Sequence, residues 1–450
     1  MPEPNADSQN HADSKIHSDP NAGNIWIRGG RVIDPSRGVD HVGDVLIIDG
    51  VVASIAEPDD APPNHSYPTI DARGCIVAPG LVDLATELRQ PGYDEDETIA
   101  SGSAAAVAGG YTTLLVAGNN DPCTDSPGAV EFIRQAARDV DARIAVMGCV
   151  SKDREGDQLS EIGLLVAAGA AAFGDVPRPI HNDALLKRAL EYCRMFDRVI
   201  INRPGVPSLS RGGVMHDGQT SLVLGLRGIP TEAEDLAVAR DVRMIEATGG
   251  RLHVGPISTM GAVDMIRGVK TRGVAVTASV CPHNLMSDDT SLRSFDSRFK
   301  VHPPLRSPRH VETIRGALED GTIDAIASGH MPRSREKKMN DLDLAPFGAS
   351  MLETAMSVVA TVMVQSGRMD WPRLIDAMST RPAQIAGLNA GSIAVGSPGD
   401  VAVINPNTEW TVDAASMNSR CISSPVDGQT LNAAVTHTIV GGKVSYRRVS

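Results

Sequence analysis

The sequence lacks two features that membrane proteins and nucleic-acid-binding proteins carry. No stretch approaches the roughly eighteen consecutive apolar residues of a membrane-spanning helix, and the N-terminus has no basic segment followed by an apolar one. A basic excess is missing as well, because 42 Lys and Arg face 55 Asp and Glu, for a formal net charge of −13. We therefore expect a cytoplasmic protein that binds neither a membrane nor nucleic acid.

Cysteine pairs with metal-site spacing and phosphate-binding loops are also missing. The six cysteines stand apart, without CxxC or CxxH spacing, which favours reduced thiols over a disulfide framework or a zinc knuckle. No GxGxxG or GxxxxGK[ST] motif follows any candidate strand, which argues against a doubly wound nucleotide-binding sheet.

What is present is enough apolar material for a large core. The chain of 450 residues is 42% apolar and 22% charged, as in ordinary globular proteins, and is long enough for a barrel-sized domain with an accessory module or for two to three smaller domains. Residues 1–23 are the exception, because they are polar and almost free of large apolar side chains. We predict that they form a disordered tail.

Both ends of the remaining chain indicate short β-strands. Residues 24–78 contain alternating runs such as IWIRGGRVID and DVLIIDGVVASIA, and residues 390–450 contain AAVTHTIVGGKVSYRRV, where Gly441 and Gly442 suit a hairpin turn. Because one such module alone is a marginal sheet, we predict that the two ends pair into one small β-sandwich.

Between the ends, residues 79–389 alternate short β-rich runs with helical stretches. Eight strand candidates occur, and stretches such as NDALLKRALEYCRMF and RHVETIRGALEDG separate them. This pattern predicts an α/β fold, a (β/α)8 TIM-type barrel with its chemistry at the carboxyl ends of the strands. The strand candidates are GLVDLAT, YTTLLVAG, ARIAVMGC, AAAFGD, DRVIINR, RLHVGPIST, GVAVTASV and IDAIASG.

Several motifs in order give a specific resemblance. The run PGLVDLATELRQPGYDEDETIASGSAAAVAGGYTTL is similar to the dihydroorotase signature of the amidohydrolase superfamily, and GGVMHDG, CPHNL, FKVHPPLR, APFGASMLET and SSPVDGQTL follow it as they do in that family. The resemblance extends from residue 24 to the C-terminus. It implies an enzyme class that reversibly closes carbamoyl aspartate to dihydroorotate, using one or two zinc ions to activate a water or hydroxide.

The chain departs from the family where the resemblance places the metal ligands. The two strand-one histidines fall on Ala85 and Glu87, the strand-five histidine on Asn202, the strand-six histidine on Pro256 and the strand-eight aspartate on Gly329. Four of these five residues have little or no capacity to bind zinc. We therefore predict degenerate metal positions, no metal cofactor and no catalytic residue, that is, a pseudoenzyme.

Other polar residues in the motifs leave alternatives open. Asp175 matches the strand-four ligand position, whereas His253, His283 and His330 are expected to be hydrogen-bonded imidazoles rather than ligands. A further reading has His330, Glu87 and Asp175 bind a stray ion.

Part of the substrate site is kept. Arg89 and Asn119 match the family residues that grip the substrate carboxylate, which suggests residual ligand binding, although Arg89 equally suits a structural ion pair. Arg333 and His302 replace a family histidine and a family asparagine.

The leading functional hypothesis is an inactive dihydroorotase homologue in pyrimidine biosynthesis. It resembles the dihydroorotase-like subunit that assembles with the catalytic chain of aspartate carbamoyltransferase, so that chain is the expected partner, in a homo- or hetero-oligomer. Two alternatives are an active dihydroorotase or related cyclic amidohydrolase with a degenerate metal site, and a ligand sensor without turnover.

Overall fold

The computed structural model of the chain describes residues 23–57 and 67–449. All of the predicted tail except Gly23 lies outside these residues. Within the described residues, no helix combines the length and the apolar composition that crossing a membrane requires.

The strands fall into an N-terminal, a central and a C-terminal group. The N-terminal strands are β1 (Ile25–Asp34), β2 (Val39–Ile48), β3 (Val51–Ala56), β4 (Thr69–Asp71) and β5 (Ile76–Pro79). The central strands are β6 (Leu81–Thr86), β7 (Tyr111–Val116), β8 (Arg143–Gly148), β9 (Ala170–Phe173), β10 (Ile200–Asn202), β11 (Met215–His216), β12 (Gly228–Ile229), β13 (Leu252–Val254), β14 (Thr277–Val280) and β15 (Ala325–Ile326). The C-terminal strands are β16 (Val401–Thr411), β17 (Thr430–Val440) and β18 (Lys443–Arg447).

Eight parallel strands form the barrel, in the order β6-β7-β8-β9-β10-β13-β14-β15. Each of the eight predicted strand segments contains one of them, so the predicted TIM-type barrel is confirmed. Strands β11 and β12 pair with each other outside the barrel sheet. Because parallel strands need a crossover connection, helices separate most of the barrel strands along the chain.

The helices follow the predicted pattern of strand and helix units. They are α1 (Ile99–Ala108), α2 (Pro127–Ala136), α3 (Ile162–Ala168), α4 (Asp183–Arg194), α5 (Pro207–Ser210), α6 (Gln219–Leu224), α7 (Glu232–Thr248), α8 (Met260–Lys270), α9 (Pro282–Met286), α10 (Pro308–Glu319), α11 (Arg335–Lys338), α12 (Ala355–Val359), α13 (Trp371–Ile375) and α14 (Arg381–Ala386).

Local sequence sets the ends of these helices. Helix α4 begins after Asn182, whose side-chain oxygen accepts a hydrogen bond from the Leu185 N–H at 3.2 Å. Helix α7 ends at Gly249, which adopts a left-handed φ of 62°. The apolar side of α4 is buried against the barrel, where Leu186 and Leu190 belong to the main core.

The two ends of the chain pair with each other, as predicted, and their described strands form one eight-stranded sheet. Its strand order is β18-β17-β16-β5-β1-β2-β3, and β4 pairs in addition with β1, in parallel. Strand β16 of the C-terminal group pairs antiparallel with β5 of the N-terminal group, from Val401 opposite Pro79 to Ile404 opposite Ile76. Gly441 and Gly442 form the predicted hairpin turn between β17 and β18, with φ values of 56° and 73° that favour glycine.

A buried carboxylate joins this terminal sheet to the barrel. Asp400 accepts hydrogen bonds from Arg143, the first residue of β8, through Nε at 2.6 Å and Nη2 at 3.1 Å. It also accepts from the Gly441 N–H at 2.7 Å. Ile404 and Val435 of the terminal sheet also belong to the same apolar cluster as the barrel core. The two parts of the molecule therefore share one core and should unfold together.

We predict that Asp400→Ala lowers the free energy of unfolding by about 1–3 kcal/mol, because it leaves the Gly441 N–H and the half-exposed Arg143 without their acceptor. Urea unfolding monitored by circular dichroism measures the change. The matched control is Asp40→Ala, which removes an equally bidentate pair with Arg31, at 2.7 and 2.8 Å, from the surface. Equal losses in the two variants would contradict the role given to Asp400.

Candidate active site

The carboxyl ends of the barrel strands meet where β15 returns to β6. The buried Asp83 of β6 accepts hydrogen bonds from the Ser328 N–H at 2.6 Å and from Ser328 Oγ at 2.5 Å, just after β15. The Glu87 N–H donates to the His330 carbonyl at 3.1 Å across the same seam. These bonds close the barrel and fix the first and last strands at the mouth.

A small cavity lies inside this mouth, which we call the axial cavity. Four of the five predicted metal positions line it: Ala85, Glu87, Pro256 and Gly329. Its volume is about 30 Å³, room for a small polar group, since one water needs at least about 10–15 Å³. The other lining residues are Leu84, Val176, Pro177, Arg203, Cys281, His302, Ala327 and Met331.

Asn202, the fifth position, is directed away from the axial cavity. Its amide nitrogen donates to the Asp241 carboxylate of α7 at 2.7 Å, and its amide oxygen accepts from the Ile180 N–H at 3.0 Å. Both polar ends of the buried side chain are thus satisfied by the surrounding barrel.

The backbone at position 329 requires glycine. Gly329 has a φ of 71°, and a Cβ there would lie 2.8 Å from Cys281 Sγ and 2.8 Å from His283 Cε1. Both the conformation and the packing therefore exclude the aspartate that the family resemblance would place there.

Glu87 forms a buried ion pair with Arg333. The Arg333 Nη1 donates to the Glu87 carboxylate at 2.9 Å, Arg89 Nη1 lies 3.9 Å from it, and the Glu87 side chain is only 2% exposed. Burial by itself would raise the pKa of Glu87, but the two guanidinium groups outweigh it and hold that pKa below its ordinary value. Glu87 is therefore an ionised partner of two arginines.

The sequence contained a signal for this pair. Glu87 and Arg333 each stand where the resemblance expects a histidine, and the structure shows that the two departures compensate each other. When one family position gains a carboxylate and another gains a cation, the two changes together indicate a buried ion pair.

The predicted ligand-binding residues lie together, and one of them, Arg89, lies beside Glu87, which lines the axial cavity. Arg89 Nη1 donates to the Asn119 carbonyl at 3.1 Å, and the guanidinium stacks on Tyr93 with its carbon 4.0 Å from the ring centroid. Arg89 also pairs with Asp96 at 3.4 Å, while the buried Asn119 Oδ1 has no hydrogen-bond partner among the described residues. Arg89 thus forms the structural ion pair that the sequence suggested, and Asn119 keeps a polar atom that could bind a ligand. Ligand binding by these two residues stays a prediction.

The alternative in which His330, Glu87 and Asp175 bind one ion is wrong, because each of the three side chains is bonded to a different partner. Asp175 accepts from the N–H groups of Val150 at 2.8 Å and Ser151 at 3.1 Å. His330 Nδ1 accepts from the Met351 N–H at 3.2 Å, and Glu87 pairs with arginine. Asp175 is thus held by the segment after β8, and burial raises its pKa.

His253 has the hydrogen-bonded environment that the sequence predicted. Its Nδ1 lies 3.0 Å from Thr277 Oγ1 and its Nε2 lies 2.8 Å from Ser279 Oγ, both on β14. Complete burial lowers the pKa of this imidazole to about 3.

Arg203 and His302 were missed as candidate residues. Arg203 directly follows β10, His302 follows the FKV segment, and both line the axial cavity. His302 was noted only as a departure from the family. An arginine immediately after a barrel strand is the signal that would have found Arg203, since chemistry in this fold gathers there.

The donor groups of the axial cavity do not fit a zinc ion as they are arranged. Ala85, Pro256 and Gly329 offer no side-chain donor, and Glu87 is already paired with Arg333. Within the described residues, the group of three potential ligands close enough to share an ion is Cys123, Asp125 and Asp153, on the loops after β7 and β8. Asp125 there accepts a hydrogen bond from the Asp153 N–H at 2.9 Å.

Comparison with known proteins identifies the class. Residues 76–445 match the model of the amidohydrolase family, and the chain belongs to this family. The fold agrees: an L-hydantoinase (dihydropyrimidinase) from Arthrobacter aurescens superimposes with a TM-score of 0.84 at 25% identity, covering 95% of this chain and 97% of that one.

Three similar relatives are named as dihydroorotases. A putative dihydroorotase of Rhodopirellula baltica is 58% identical over 94% of this chain and 92% of its own length. Dihydroorotases of Anaeromyxobacter dehalogenans and Citrifermentans bemidjiense are 44% and 41% identical, over 93% and 94% of this chain and 97% and 100% of their own lengths.

These relatives contradict the prediction of an inactive pseudoenzyme. Nothing in them points to a non-catalytic subunit, and the proteins that share nearly the whole chain carry the name of an enzyme. The prediction that the protein uses no metal cofactor is contradicted for the same reason, since the family resemblance implies zinc for dihydroorotases.

We predict that Glu87→Gln lowers the free energy of unfolding by about 2–4 kcal/mol, because two buried arginines lose their shared counter-charge. Adding Arg333→Met should restore part of this loss, and urea unfolding of the single and double variants gives the coupling energy. The control is Glu95→Gln, which removes the exposed partner of Lys337 at 2.7 Å and should cost less than about 1 kcal/mol. Strictly additive effects of the two changes would contradict the buried pair.

We predict that His253 makes stability fall as the pH is lowered from about 6.5 towards 3. Below 6.5 the unfolded chain takes up a proton that the folded imidazole, with its pKa of about 3, does not, so acid favours unfolding. One such proton corresponds to about 1.4 kcal/mol per pH unit. Between pH 6 and 5, His253→Gln should reduce the slope of unfolding free energy against pH by the amount that one proton contributes, about 1.4 kcal/mol per pH unit.

The control for this slope is His181→Gln, because His181 is exposed. Denaturant titrations at several pH values measure both variants. A wild-type slope in His253→Gln would show that the imidazole is protonated in the folded state.

Proposed function

We propose that the protein is an active cyclic amide hydrolase of the dihydroorotase type. The observation that carries the proposal is the 41–44% identity, over 93–94% of the chain, to proteins named dihydroorotase. The reaction adds water across the ring amide of dihydroorotate: the C–N bond breaks, the water oxygen joins the carbonyl carbon, and nitrogen takes a proton. The product, carbamoyl aspartate, carries one carboxylate more than the substrate.

Arg89 and Asn119 support this proposal as the binding site of the carboxylate that substrate and product share. Arg89 uses Nη1 and Nε for Asn119 and Asp96, and a guanidinium has five N–H donors, so others are available. Stacking on Tyr93 and pairing with Asp96 hold the guanidinium plane in one orientation. A fork fixed in this way suits a planar carboxylate.

The five positions Ala85, Glu87, Asn202, Pro256 and Gly329 stay predicted as altered metal positions. The alternative of an active enzyme with a degenerate metal site accommodates both them and the relatives. The assembly with the catalytic chain of aspartate carbamoyltransferase likewise stays a prediction from the sequence.

The test is turnover of dihydroorotate by the purified full chain, with metal content measured on the same sample. We predict turnover, and we expect Arg89→Lys to lower kcat/KM by about tenfold or more, mainly through KM, because a point charge replaces the bidentate fork. Arg138→Lys, on an exposed arginine, is the control and should keep the wild-type rate. Absence of turnover in a metal-replete sample would overturn the proposal, and binding without turnover would favour the predicted ligand sensor.

A further inference from the structure

Two residues connect the axial cavity with a second, outer cleft. Arg203 and His302 line both, and we call this pair the neck. The outer cleft lies between the loop after β10, the start of α7 and the segment after Val301, with Pro179, Ser210, Glu234 and Arg306 among its lining residues. The neck therefore lies between the axial cavity and the outer cleft.

The Arg203 guanidinium has no ion pair within 4.0 Å and no hydrogen bond among the residues that the structure describes, and its Nη1 atom is buried. Burial lowers its pKa to about 10, which still leaves it a cation at neutral pH. A buried cation without a partner is unfavourable by itself.

The carboxylates on either side of Arg203 are committed elsewhere. Glu87 accepts from Arg333 at 2.9 Å. Glu234 accepts from the N–H groups of Ser258 at 2.6 Å and Thr259 at 2.9 Å, and it lies 3.5 Å from Arg306. Neither carboxylate therefore forms an ion pair with Arg203, although both act on its charge from a longer distance.

His302 adds a neutral polar group at the same place. Its Nδ1 is buried without a hydrogen-bond partner, and its ring meets Phe347 edge to face with centroids 5.3 Å apart. Burial, with Arg203 and Arg306 beside it, lowers the pKa of His302 well below its ordinary value. The imidazole is therefore uncharged and offers one N–H and one acceptor.

We propose that Arg203 and His302 form a second carboxylate subsite, which holds the carboxylate released when the ring amide opens. The inference rests on the proposed function and deepens it: Arg89 binds the carboxylate common to both ligands, and the neck binds the one that only the open-chain acid has. The small volume of the axial cavity limits what enters it to a group of about that size.

The same contacts favour the reaction in both directions. As water adds to the amide carbonyl, negative charge grows on its oxygen and then stays on the new carboxylate. A fixed cation at that position stabilises the developing charge, because it needs no rearrangement during the step. Arg203 is thus a binding residue for the reacting carbonyl group.

Two inert ligands separate this subsite from turnover. N-acetylaspartate keeps both carboxylates and lacks the nitrogen that closes the ring, whereas N-acetylasparagine replaces the second carboxylate with a neutral amide of the same size. Calorimetric titration of the full chain with each ligand gives their affinity ratio. We expect the wild type to prefer N-acetylaspartate.

Arg203→Met should reduce that preference by about tenfold or more, the effect of losing a charge-assisted hydrogen bond, and should change the affinity for N-acetylasparagine much less. Arg203→Lys should keep part of the preference. The matched control is Arg211→Met, on an exposed arginine at the end of α5, which should keep the wild-type ratio.

Thermal unfolding of the same variants tests a merely structural role. Because Arg203 is unpaired, we expect Arg203→Met to melt at the wild-type temperature or above it. A misfolded variant, a preserved ligand preference in Arg203→Met, or no preference in the wild type would each overturn the inference. Failure of dihydroorotate turnover would instead overturn the proposed function, since these affinities need no reaction.

Discussion

The barrel closes across one seam, where a buried carboxylate, Asp83, joins the first strand to the segment after the last. Asp83 on the first strand accepts both the backbone and the side-chain hydrogen bonds of Ser328 after the last strand. Burial raises the pKa of Asp83, and the Ser328 and Thr86 hydrogen bonds oppose that rise. Everything at the mouth depends on this closure, since Ala85, Glu87, Gly329 and the loop to Arg333 all follow directly from it.

Charge is distributed around the seam by pairing arginines with carboxylates. Glu87 with Arg333 and Glu234 with Arg306 form two buried pairs, and Arg203 lies between them without one. In an interior of low effective dielectric, such pairs are stable only when further hydrogen bonds satisfy the remaining atoms. In this arrangement Glu87 and Glu234 are each committed to an arginine partner.

The family relationship changes how the departures at the mouth are interpreted. Ligand by ligand, the sequence favoured an inactive chain, yet relatives with 41–58% identity are named as dihydroorotases. The departures are also not independent losses: Glu87 and Arg333 compensate each other, and Gly329 is required by the packing of Cys281 and His283. The changed residues therefore fit one another in the folded structure, as side chains that depend on each other must.

The sequence by itself determined the barrel, the joining of the two ends and the position of the mouth. Strand length, helical spacing and turn glycines such as Gly441 and Gly442 are local properties, so they can be predicted from neighbouring residues. Ala85, Glu87, Pro256 and Gly329 came together because the fold fixes where strand ends meet. Only the tertiary structure decided which side chains face inward and what they pair with.

Asn202 was predicted at the mouth and is directed instead towards Asp241, whereas Arg203, its neighbour, enters the cavity. Successive side chains of a strand point in opposite directions, so neighbouring residues at a strand end face different surroundings. At the end of β10 the cavity therefore receives the guanidinium of Arg203 and not the amide of Asn202. The pairing of Glu87 with Arg333, 246 residues apart, is likewise a long-range contact that no local pattern records.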